Sequence, residues 1–273
     1  MDPHFPELDP WLERWGLVQD GWAFQTPYTR SILAPVLAGG RKAMLKIAGS
    51  PEEAAGARLM AWWSGRGAAP VLEAEGDVIV LERAEDPDGL ARMAFDGKDD
   101  EATRILCQVV ETLHRPRSEP TPDTLRPLSD WFRALKAARE RHPVFEKAAA
   151  LAEGLLAETE SPVILHGDVT HQNVLGFGDK GWLAIDPKGL FGDRAYDYAN
   201  IFRSPTTAMT TPTRLRRQAD VMSECSGLES RTLLQWGFVH AALSVAWWLE
   251  NGHSLNERAL RIPGMNLAVL EAG

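Results

Sequence analysis

The sequence predicts an α+β fold in which a small β-rich lobe precedes a larger, mainly helical lobe. Three observations indicate this order: apolar runs separated by turns in the first third, helical segments punctuated by proline after residue 98, and an Asp- and Gly-rich stretch between them. Strands and helices that occur in separate blocks are typical of α+β proteins. We therefore expect lobes at 1–86 and 99–273, joined by a hinge or linker at 87–98.

Composition limits the classes of protein to which the chain can belong. With 273 residues, 44% of them hydrophobic, it can bury a core large enough for two lobes. The net charge of −9 argues against nucleic acid and anionic membrane as partners. The start lacks a secretory signal, no 18-residue apolar run occurs, and the two cysteines form no CxxC motif. We expect a cytoplasmic protein with a small-molecule substrate, and nothing in the sequence indicates its oligomeric state.

Apolar runs and turn residues predict the elements of the β-rich part. A short helix is expected over 8–15, begun by Asp9 and Pro10, and a second helix over 51–63. The predicted strands are 22–26, 32–37, 43–47, 71–72 and 78–82. Lys46 lies in the third of these strands, a position that is also typical of a solvent-facing lysine on an edge strand.

The second part is predicted to be helical around a small sheet. Its helices are predicted over 99–114, 127–140, 143–158, 212–225, 229–251, 254–262 and 265–271, with prolines near several of the breaks. Short apolar strands are predicted at 163–165 and 183–185, and a loop is predicted over 189–195. Both strands lead directly into polar residues.

These polar residues are the types that a magnesium–phosphate site requires. Asp168 follows the first strand, Asn173 comes five residues later, and Asp186 follows the second strand. Asn and Asp oxygens suit Mg²⁺, and the Asp168 carboxylate can accept a proton from a substrate hydroxyl. Lys46 precedes the cluster and supplies the cation that nucleotide phosphates require. The spacing therefore indicates a phosphoryl-transfer site.

Two other interpretations use the same residues. His166 and Asp168 can simply end a strand, or they can join His171 and the other oxygen-bearing residues in a transition-metal site of a metallophosphoesterase. The second interpretation requires further histidine pairs, whereas the other five histidines are scattered singly. The sequence contains no P-loop, no Gly-x-Gly-x-x-Gly and no Gly-x-Ser-x-Gly motif, which argues against the sites that use them.

The motifs resemble those of the aminoglycoside phosphotransferases. The resemblance rests on His-Gly-Asp-Val-Thr-His-Gln-Asn at 166–173, Ile-Asp-Pro at 185–187 and Gly-Asp-Arg-Ala-Tyr-Asp-Tyr-Ala at 192–199. Phrases such as Met-Leu-Lys-Ile at 44–47 and Tyr-Asp-Tyr-Ala-Asn-Ile-Phe at 196–202 are most similar to the streptomycin 6-kinase and hydroxyurea kinase branch. The likeness extends from about residue 10 to 265, and it implies a bilobal protein-kinase-like fold with ATP between the lobes.

The resemblance also implies a role for each matched residue. By position, Asp168 would be the catalytic base and Lys46 the nucleotide lysine, and the Mg²⁺ ligands would be Asn173 and Asp186. The hinge would be Leu-Glu-Arg-Ala at 81–84, where adenine would meet backbone groups of Glu82 and Ala84. Asp197 matches an acidic residue that braces the catalytic loop.

Two features depart from the family pattern. The loop that should cover the nucleotide, 27–31, contains no glycine, although backbone amides from Thr29 to Ser31 can still approach phosphate. The helix glutamate that should pair with Lys46 is ambiguous, because Glu52 and Glu53 both lie in the first turn. We favour Glu53, although Ser-Pro-Glu-Glu at 50–53 is also a capping box that would occupy Glu53 with its own helix end.

The acceptor is expected against the C-terminal helices. One apolar face of 229–251 reads as a core stripe, because such stripes are normally buried. The candidates for contact with a cationic or phosphorylated group are His171, Asp193, Glu224 and Glu250. We expect an ATP- and Mg²⁺-dependent kinase of a cationic aminoglycoside, with streptomycin at its 6-position as the predicted acceptor and antibiotic resistance as the result. The alternatives are a kinase of hydroxyurea or another metabolite, and a nucleotide-binding protein without turnover.

Overall fold

A computed structural model describes residues 5–272, so the ends of the predicted lobes, 1–4 and 273, lie outside the described residues. Its first part is a six-stranded antiparallel sheet with the order β1-β3-β4-β6-β5, and β2 pairs with the free stretch of β3. The strands are β1 (Leu17–Gln19), β2 (Phe24–Gln25), β3 (Ile32–Ala38), β4 (Arg41–Ile47), β5 (Val71–Glu75) and β6 (Val78–Glu82). The helix α1 (Asp9–Arg14) precedes them. The strand β1 was not predicted.

Alternation along the central strands gives this sheet two different faces. Ala34, Val36 and Leu45 belong to a buried core on the face toward α1. The intervening residues face the opposite way, and Lys46 shares that face of β4 with Met44 because side chains two positions apart point to the same side. Since β4 lies between β3 and β6, Lys46 is not on an edge strand, and the solvent-facing interpretation is wrong.

The helix α2 (Pro51–Trp63) packs against the six-stranded sheet. It also contacts a loop from much later in the chain, the one that contains Asp186 and Pro187. It begins as predicted, with Ser50 accepting a hydrogen bond from the Glu53 amide at 3.3 Å. Gly56 permits its closest approach: a Cβ at this position would lie 2.1 Å from the carbonyl oxygen of Pro187. Only glycine fits there, and Pro187 directly follows Asp186.

The segment 87–98, predicted as a linker, contains the helix α3 (Gly89–Phe95). Its Leu90 and Ala94 are buried, and the Asp and Gly residues that suggested a linker lie at its two ends. The chain instead leaves the sheet through 83–86, where the amides of Glu85 and Asp86 both donate to the Gly176 carbonyl. The lobe limits at 1–86 and 99–273 stay a prediction.

The second part is mostly helical, as predicted. Its helices are α4 (Asp99–Leu113), α5 (Leu128–Trp131), α6 (Arg133–Ala137), α7 (Pro143–Ala157), α8 (Pro212–Ser226), α9 (Ser230–Glu250) and α10 (Glu257–Glu271). The helix predicted over 127–140 is broken into short pieces. The break predicted near Pro263 is absent, because α10 continues through it with Ile262 and Pro263 buried. Burial there offsets the hydrogen bond that proline removes.

Two small sheets carry the polar loops. The strands β7 (Arg126–Pro127), β8 (Val163–Leu165) and β11 (Leu190–Gly192) form one sheet, with β11 in the middle, and β9 (Val174–Gly176) and β10 (Trp182–Ala184) form a hairpin. The loop predicted over 189–195 thus contains a strand. Asp168 follows β8 and Asp186 follows β10, so both carboxylates lie where strands end. Among the residues described, no helix is long and apolar enough to span a membrane.

Candidate active site

A cavity of about 410 Å³ lies between the six-stranded sheet and the β9–β10 hairpin. This volume is in the range of small-molecule sites. Its apolar walls come from the sheet on one side and the hairpin region on the other, namely Leu33, Met44, Ile79, Leu81, Leu175, Phe177 and Ile185. Its polar lining includes Lys46, Glu53, Asn173 and Asp186, so the predicted nucleotide and metal residues share one cleft.

Asp168 is held in place by two side-chain amides. The Asn200 Nδ2 atom donates to Oδ1 at 2.6 Å, and the Asn173 Nδ2 atom donates to Oδ2 at 3.0 Å. Gly167, with a φ of 82°, lets the chain turn out of β8 just before Asp168. Asn200 was not identified from the sequence. In the sequence it is part of the segment 196–202 that resembles the family, and no chemical role followed from that resemblance.

His166 links the two strand-end loops. Its Nδ1 atom accepts from the Asp168 amide at 3.2 Å, and its Nε2 atom donates to the Ile185 carbonyl at 2.8 Å. Burial lowers the pKa of His166 below its ordinary value, in keeping with a neutral ring with the proton on Nε2. The ring also stacks at 6.1 Å from that of Trp63. His166 therefore supports the loops and is not free to bind a metal.

Asp197 binds the backbone of the turn at His166 and Gly167. It is 1% exposed and accepts hydrogen bonds from the amides of His166 at 2.9 Å and Gly167 at 2.7 Å. The His114 Nε2 atom donates to the same carboxylate at 2.7 Å. Burial acts to raise the pKa of Asp197, but the His114 hydrogen bond and charge, with the other donors, lower it overall. This geometry matches the bracing role that the resemblance implies.

Four charged side chains meet at the deep end of the cleft. Lys46 Nζ contacts both Glu53 Oε2 and Asp186 Oδ1. Lys188 Nζ contacts the other oxygens, Asp186 Oδ2 at 2.8 Å and Glu53 Oε1 at 3.2 Å. Burial acts to raise the pKa of Asp186, but the two lysines lower it below its ordinary value. Burial acts to lower the pKa of Lys188, but Asp186, Asp168 and Glu53 raise it above the ordinary value.

The pairing of Lys46 resolves the ambiguity in α2. Glu53 is the partner, while Glu52 points away and contacts Arg126 Nη1 at 3.2 Å. Only half of the capping box forms: the Glu53 amide donates to Ser50, but its carboxylate is turned toward the lysines. Asp186 itself has a φ of 61°, a left-handed conformation that non-glycine residues rarely adopt and that is often found at functional sites.

The glycine-free loop is fastened by hydroxyl groups. Thr26 Oγ1 lies 2.6 Å from Thr29 Oγ1 and accepts from the Ser31 amide at 2.9 Å. Thr29 lines the cleft, but Ser31 is fully buried, and its hydroxyl is 3.4 Å from Glu53 Oε2. The predicted contact of Ser31 with phosphate is therefore not what this arrangement offers. Gly49 lets the loop pack closely, because a Cβ there would lie 2.3 Å from the Thr29 carbonyl oxygen.

The predicted hinge also lines the cleft, at the end away from the charged groups. The Glu82 amide already donates to the Pro70 carbonyl at 2.9 Å, and its carboxylate pairs with Lys180 at 2.6 Å and Arg41 at 3.1 Å. Ala84 lies in the cavity wall. Adenine could therefore meet the carbonyl of Glu82 and the backbone of Ala84, but not the Glu82 amide.

The predicted substrate residues do not come together. His171 is fully buried, its Nδ1 atom and amide both contact Ser204 Oγ, and burial lowers its pKa to about 4. Asp193 accepts from Trp236 Nε1 at 3.0 Å. Glu224 lies on the surface and pairs with Arg104 at 3.1 Å. The sequence could not show these partners, because each lies far away in the chain.

Glu250 lines a second cavity, of about 350 Å³, beside the cleft. Its lining combines acidic, basic and aromatic side chains, namely Tyr28, Glu52, Arg126, Asp130, Trp131, Arg133, Trp247 and Glu250, with Ala134 and Asn251. Trp131 Nε1 and Arg126 Nη2 are buried without a hydrogen-bond partner. Glu52 is next to Glu53, and the Arg126 amide donates to the Gly189 carbonyl at 3.0 Å, so this cavity adjoins the charged end of the cleft.

The stripe predicted on α9 is core over most of its length. Trp236, His240 and Leu243 are buried, whereas Trp247 is partly exposed and lines the second cavity.

The donor set in the cleft fits Mg²⁺ and phosphate. Asn173 uses its amide nitrogen on Asp168, so its Oδ1 atom remains as an acceptor of the type that Mg²⁺ prefers. Asp186 stays ionised and lines the same cavity, and Lys46 faces it from the sheet. Asn173 and Asp186 are thus the residues that can hold Mg²⁺, and both histidines of the motif are engaged in bonds inside the protein.

The chain is similar in sequence to known antibiotic kinases. A model of the aminoglycoside/hydroxyurea antibiotic resistance kinase family matches residues 14–252. The streptomycin 3''-kinase of Klebsiella pneumoniae is 43% identical over 247 residues, which are 88% of this chain and 92% of that protein. The streptomycin 6-kinase of Streptomyces griseus is 29% identical over 260 residues, which are 88% of this chain and 81% of that protein.

Comparison of the folds also identifies similar proteins at much lower sequence identity. The apo crystal structure of a thermostable mutant of the aminoglycoside phosphotransferase APH(4)-Ia superposes with a TM-score of 0.64 at 16% identity. The match covers 96% of this chain and 98% of that one. The predicted fold, with a β-rich first part and a larger helical part as in protein-kinase-like phosphotransferases, is confirmed.

Proposed function

Because the chain belongs to the aminoglycoside/hydroxyurea antibiotic resistance kinase family, we propose that it transfers the γ-phosphoryl group of ATP, with Mg²⁺, to a hydroxyl of streptomycin. The observation that carries this proposal is the convergence of Lys46, Asn173 and Asp186 in one cleft beside Asp168. A cytoplasmic enzyme of this kind would inactivate the antibiotic and confer resistance. Turnover distinguishes it from a protein that only binds nucleotide.

The residues present can carry out a direct, in-line transfer. The acceptor hydroxyl gives its proton to the Asp168 carboxylate as its oxygen forms a bond to the γ-phosphorus, and the bond from that phosphorus to the β–γ bridging oxygen breaks to release ADP. Lys46 would bind the nucleotide phosphates. Bound Mg²⁺, held by Asn173 and Asp186, would neutralise phosphate charge. No phosphorylated enzyme is required.

The position of the hydroxyl is the finer part of the proposal. The sequence motifs led to the 6-hydroxyl. The streptomycin 3''-kinase, however, is 43% identical to this chain, whereas the streptomycin 6-kinase is 29% identical over a similar length. We therefore favour the 3''-hydroxyl and keep the 6-hydroxyl as the alternative.

An assay of ADP release with Mg-ATP tests the proposal against a panel of streptomycin, kanamycin and hydroxyurea. We expect turnover with streptomycin, and NMR of the purified product should show phosphorus coupled to the proton at the 3''-carbon. Coupling at the 6-carbon would restore the 6-kinase alternative. Turnover with kanamycin or hydroxyurea alone would reject streptomycin as the acceptor. ATP binding without ADP release on the whole panel would support nucleotide binding without turnover.

We further propose that the second cavity receives the cationic part of the acceptor. Its three carboxylates outnumber its two guanidinium groups, which pair with Glu52 and Glu250, and the rings of Trp131 and Trp247 line it as well. Carboxylates and aromatic faces are the groups that attract guanidinium and ammonium groups.

Replacing Glu250 by Gln should raise the KM for streptomycin about three- to fivefold, the effect of losing one solvent-exposed ion pair. We expect kcat to stay the same, because Glu250 pairs with Arg133 at 2.7 Å and does not contact Asp168. Steady-state kinetics with streptomycin varied at saturating ATP measure both constants. Glu271→Gln is the matched control, since Glu271 forms a similar exposed pair with Lys147 far from the cavity. An unchanged KM in Glu250→Gln would remove this residue from the acceptor site.

A further inference from the structure

Lys188 has no role in the predicted site, yet it is as closely engaged as Lys46. Its ammonium group contacts Asp186 at 2.8 Å and Glu53 at 3.2 Å, and its side chain is 14% exposed, against 12% for Lys46. Each lysine therefore touches both carboxylates through separate oxygens. Together the two lysines and the two carboxylates carry no net charge.

The two lysines approach the carboxylates from opposite sides of the cleft. Lys46 projects from β4 in the sheet, whereas Lys188 lies in the loop that connects β10 to β11, two residues after Asp186. The Lys188 amide donates to the His166 carbonyl at 2.7 Å. A Cβ built on Gly167 would lie 3.2 Å from the Lys188 Cβ atom, so the stem of Lys188 packs over the turn that leads into Asp168.

Nucleotide binding changes the charge balance of this cluster. If Asp186 held Mg²⁺, Glu53 would be the carboxylate of this cluster that remains for the two ammonium groups. One ammonium group would then be available for phosphate. Lys46 extends from the sheet and lines the cavity in which the nucleotide would lie. Lys188 packs against the turn that leads into Asp168, the proposed general base.

We propose that Lys188 binds the transferring γ-phosphoryl group and stabilises the negative charge that builds up on it during transfer. This inference rests on the proposed phosphoryl transfer and adds a second phosphate-binding lysine to it. Lys188 keeps its proton throughout and donates a hydrogen bond. Fixed cations aimed at the transferring group are the main way in which proteins accelerate this reaction.

The covering loop explains why a second lysine is needed. In this chain the loop has no glycine, the Arg30 amide donates to the Thr26 carbonyl at 3.1 Å, and the Ser31 amide donates to Thr26 Oγ1 at 2.9 Å. Fewer backbone amides are therefore free to surround the terminal phosphate. A lysine from the opposite wall supplies the positive charge that such a loop does not provide.

Nucleotide binding without acceptor tests the proposal, because ADP lacks the γ-phosphate and the analogue AMP-PNP has it. In titration calorimetry with Mg²⁺, we expect Lys188→Met to weaken AMP-PNP binding about tenfold, the size of one charged hydrogen bond, and to change ADP binding less than twofold. Lys46→Met should weaken both ligands. In the kinase assay, Lys188→Met should lower kcat about a hundredfold.

Controls separate phosphate binding from structural support. Lys147→Met, a change at an exposed position of α7 that pairs with Glu271, should leave both affinities unchanged. Lys188→Arg keeps the charge and should retain AMP-PNP affinity within about threefold, and it keeps the test valid if the methionine variant does not fold. Equal losses for ADP and AMP-PNP, or no loss for either, in Lys188→Met would overturn the inference. A wild-type protein that binds neither nucleotide would instead reject the proposed function.

Discussion

Replacing Asp168 by Asn is expected to reduce kcat by about three orders of magnitude, the contribution of a well-placed general base. The carboxamide has nearly the same shape, but it cannot accept the hydroxyl proton. It also presents an NH₂ group to Asn200 or Asn173, which both donate to the carboxylate in the native site. ADP release with streptomycin measures kcat, and calorimetry should give an ADP affinity close to that of the wild type.

Asp179→Asn provides the control for this variant. Asp179 lies exposed in the turn between β9 and β10, so the same chemical change there should leave kcat unaltered. If Asp168→Asn kept more than about a tenth of wild-type turnover, Asp168 would not be the base.

Replacing Asp197 by Ala should lower the free energy of unfolding by about 3–5 kcal/mol, the cost of breaking a buried network of hydrogen bonds to a charged group. The carboxylate accepts from two backbone amides and from His114, and all three donors would lose their partner inside the protein. Urea denaturation monitored by tryptophan fluorescence measures the change. Asp193→Ala is a useful comparison, because Asp193 is less buried and its loss should cost clearly less.

The same carboxylate predicts a pH dependence. The pKa of Asp197 is lower in the folded protein than in the unfolded chain, so folding is favoured by its ionised form. Its contribution is therefore fully present above the unfolded pKa of about 4 and is lost as the pH falls through the lower folded value. Urea titrations between about pH 7 and 3 should show the wild type losing stability faster than Asp197→Ala over this range. Parallel curves would contradict this assignment.

Short-range patterns predicted the residues whose neighbours in sequence are also their neighbours in space. Asp168 and Asn173 lie on one loop, and their hydrogen bond is the direct result of their spacing. Asp186 and Lys46 were placed by strand ends and strand order. The assignment of Glu53 over Glu52 depends on which way a helix turns toward the sheet, and the sequence allowed either.

Long-range contacts account for the residues that the sequence did not reveal. Asn200 reaches Asp168 across 32 positions, and His114 reaches Asp197 across 83. Lys188 directly follows the Ile-Asp-Pro motif at 185–187, but its proximity to Glu53 becomes evident only when α2 is placed beside this loop. The errors in α3 and α10 have a similar origin, because burial of a few apolar residues outweighs the helix-breaking residues beside them.

The contact between Gly56 and Pro187 bears on how activity is regulated. In protein kinases, activity depends on the position of the helix whose glutamate pairs with the nucleotide lysine. Here α2 touches the backbone beyond Asp186 without an intervening side chain, and Gly189, with a φ of 63°, accommodates Ala55 one turn away. Both lysines then tie Glu53 to the same loop. Outward movement of α2 would break all these contacts together, so we expect α2 to keep this position with and without ligands rather than to act as a conformational switch.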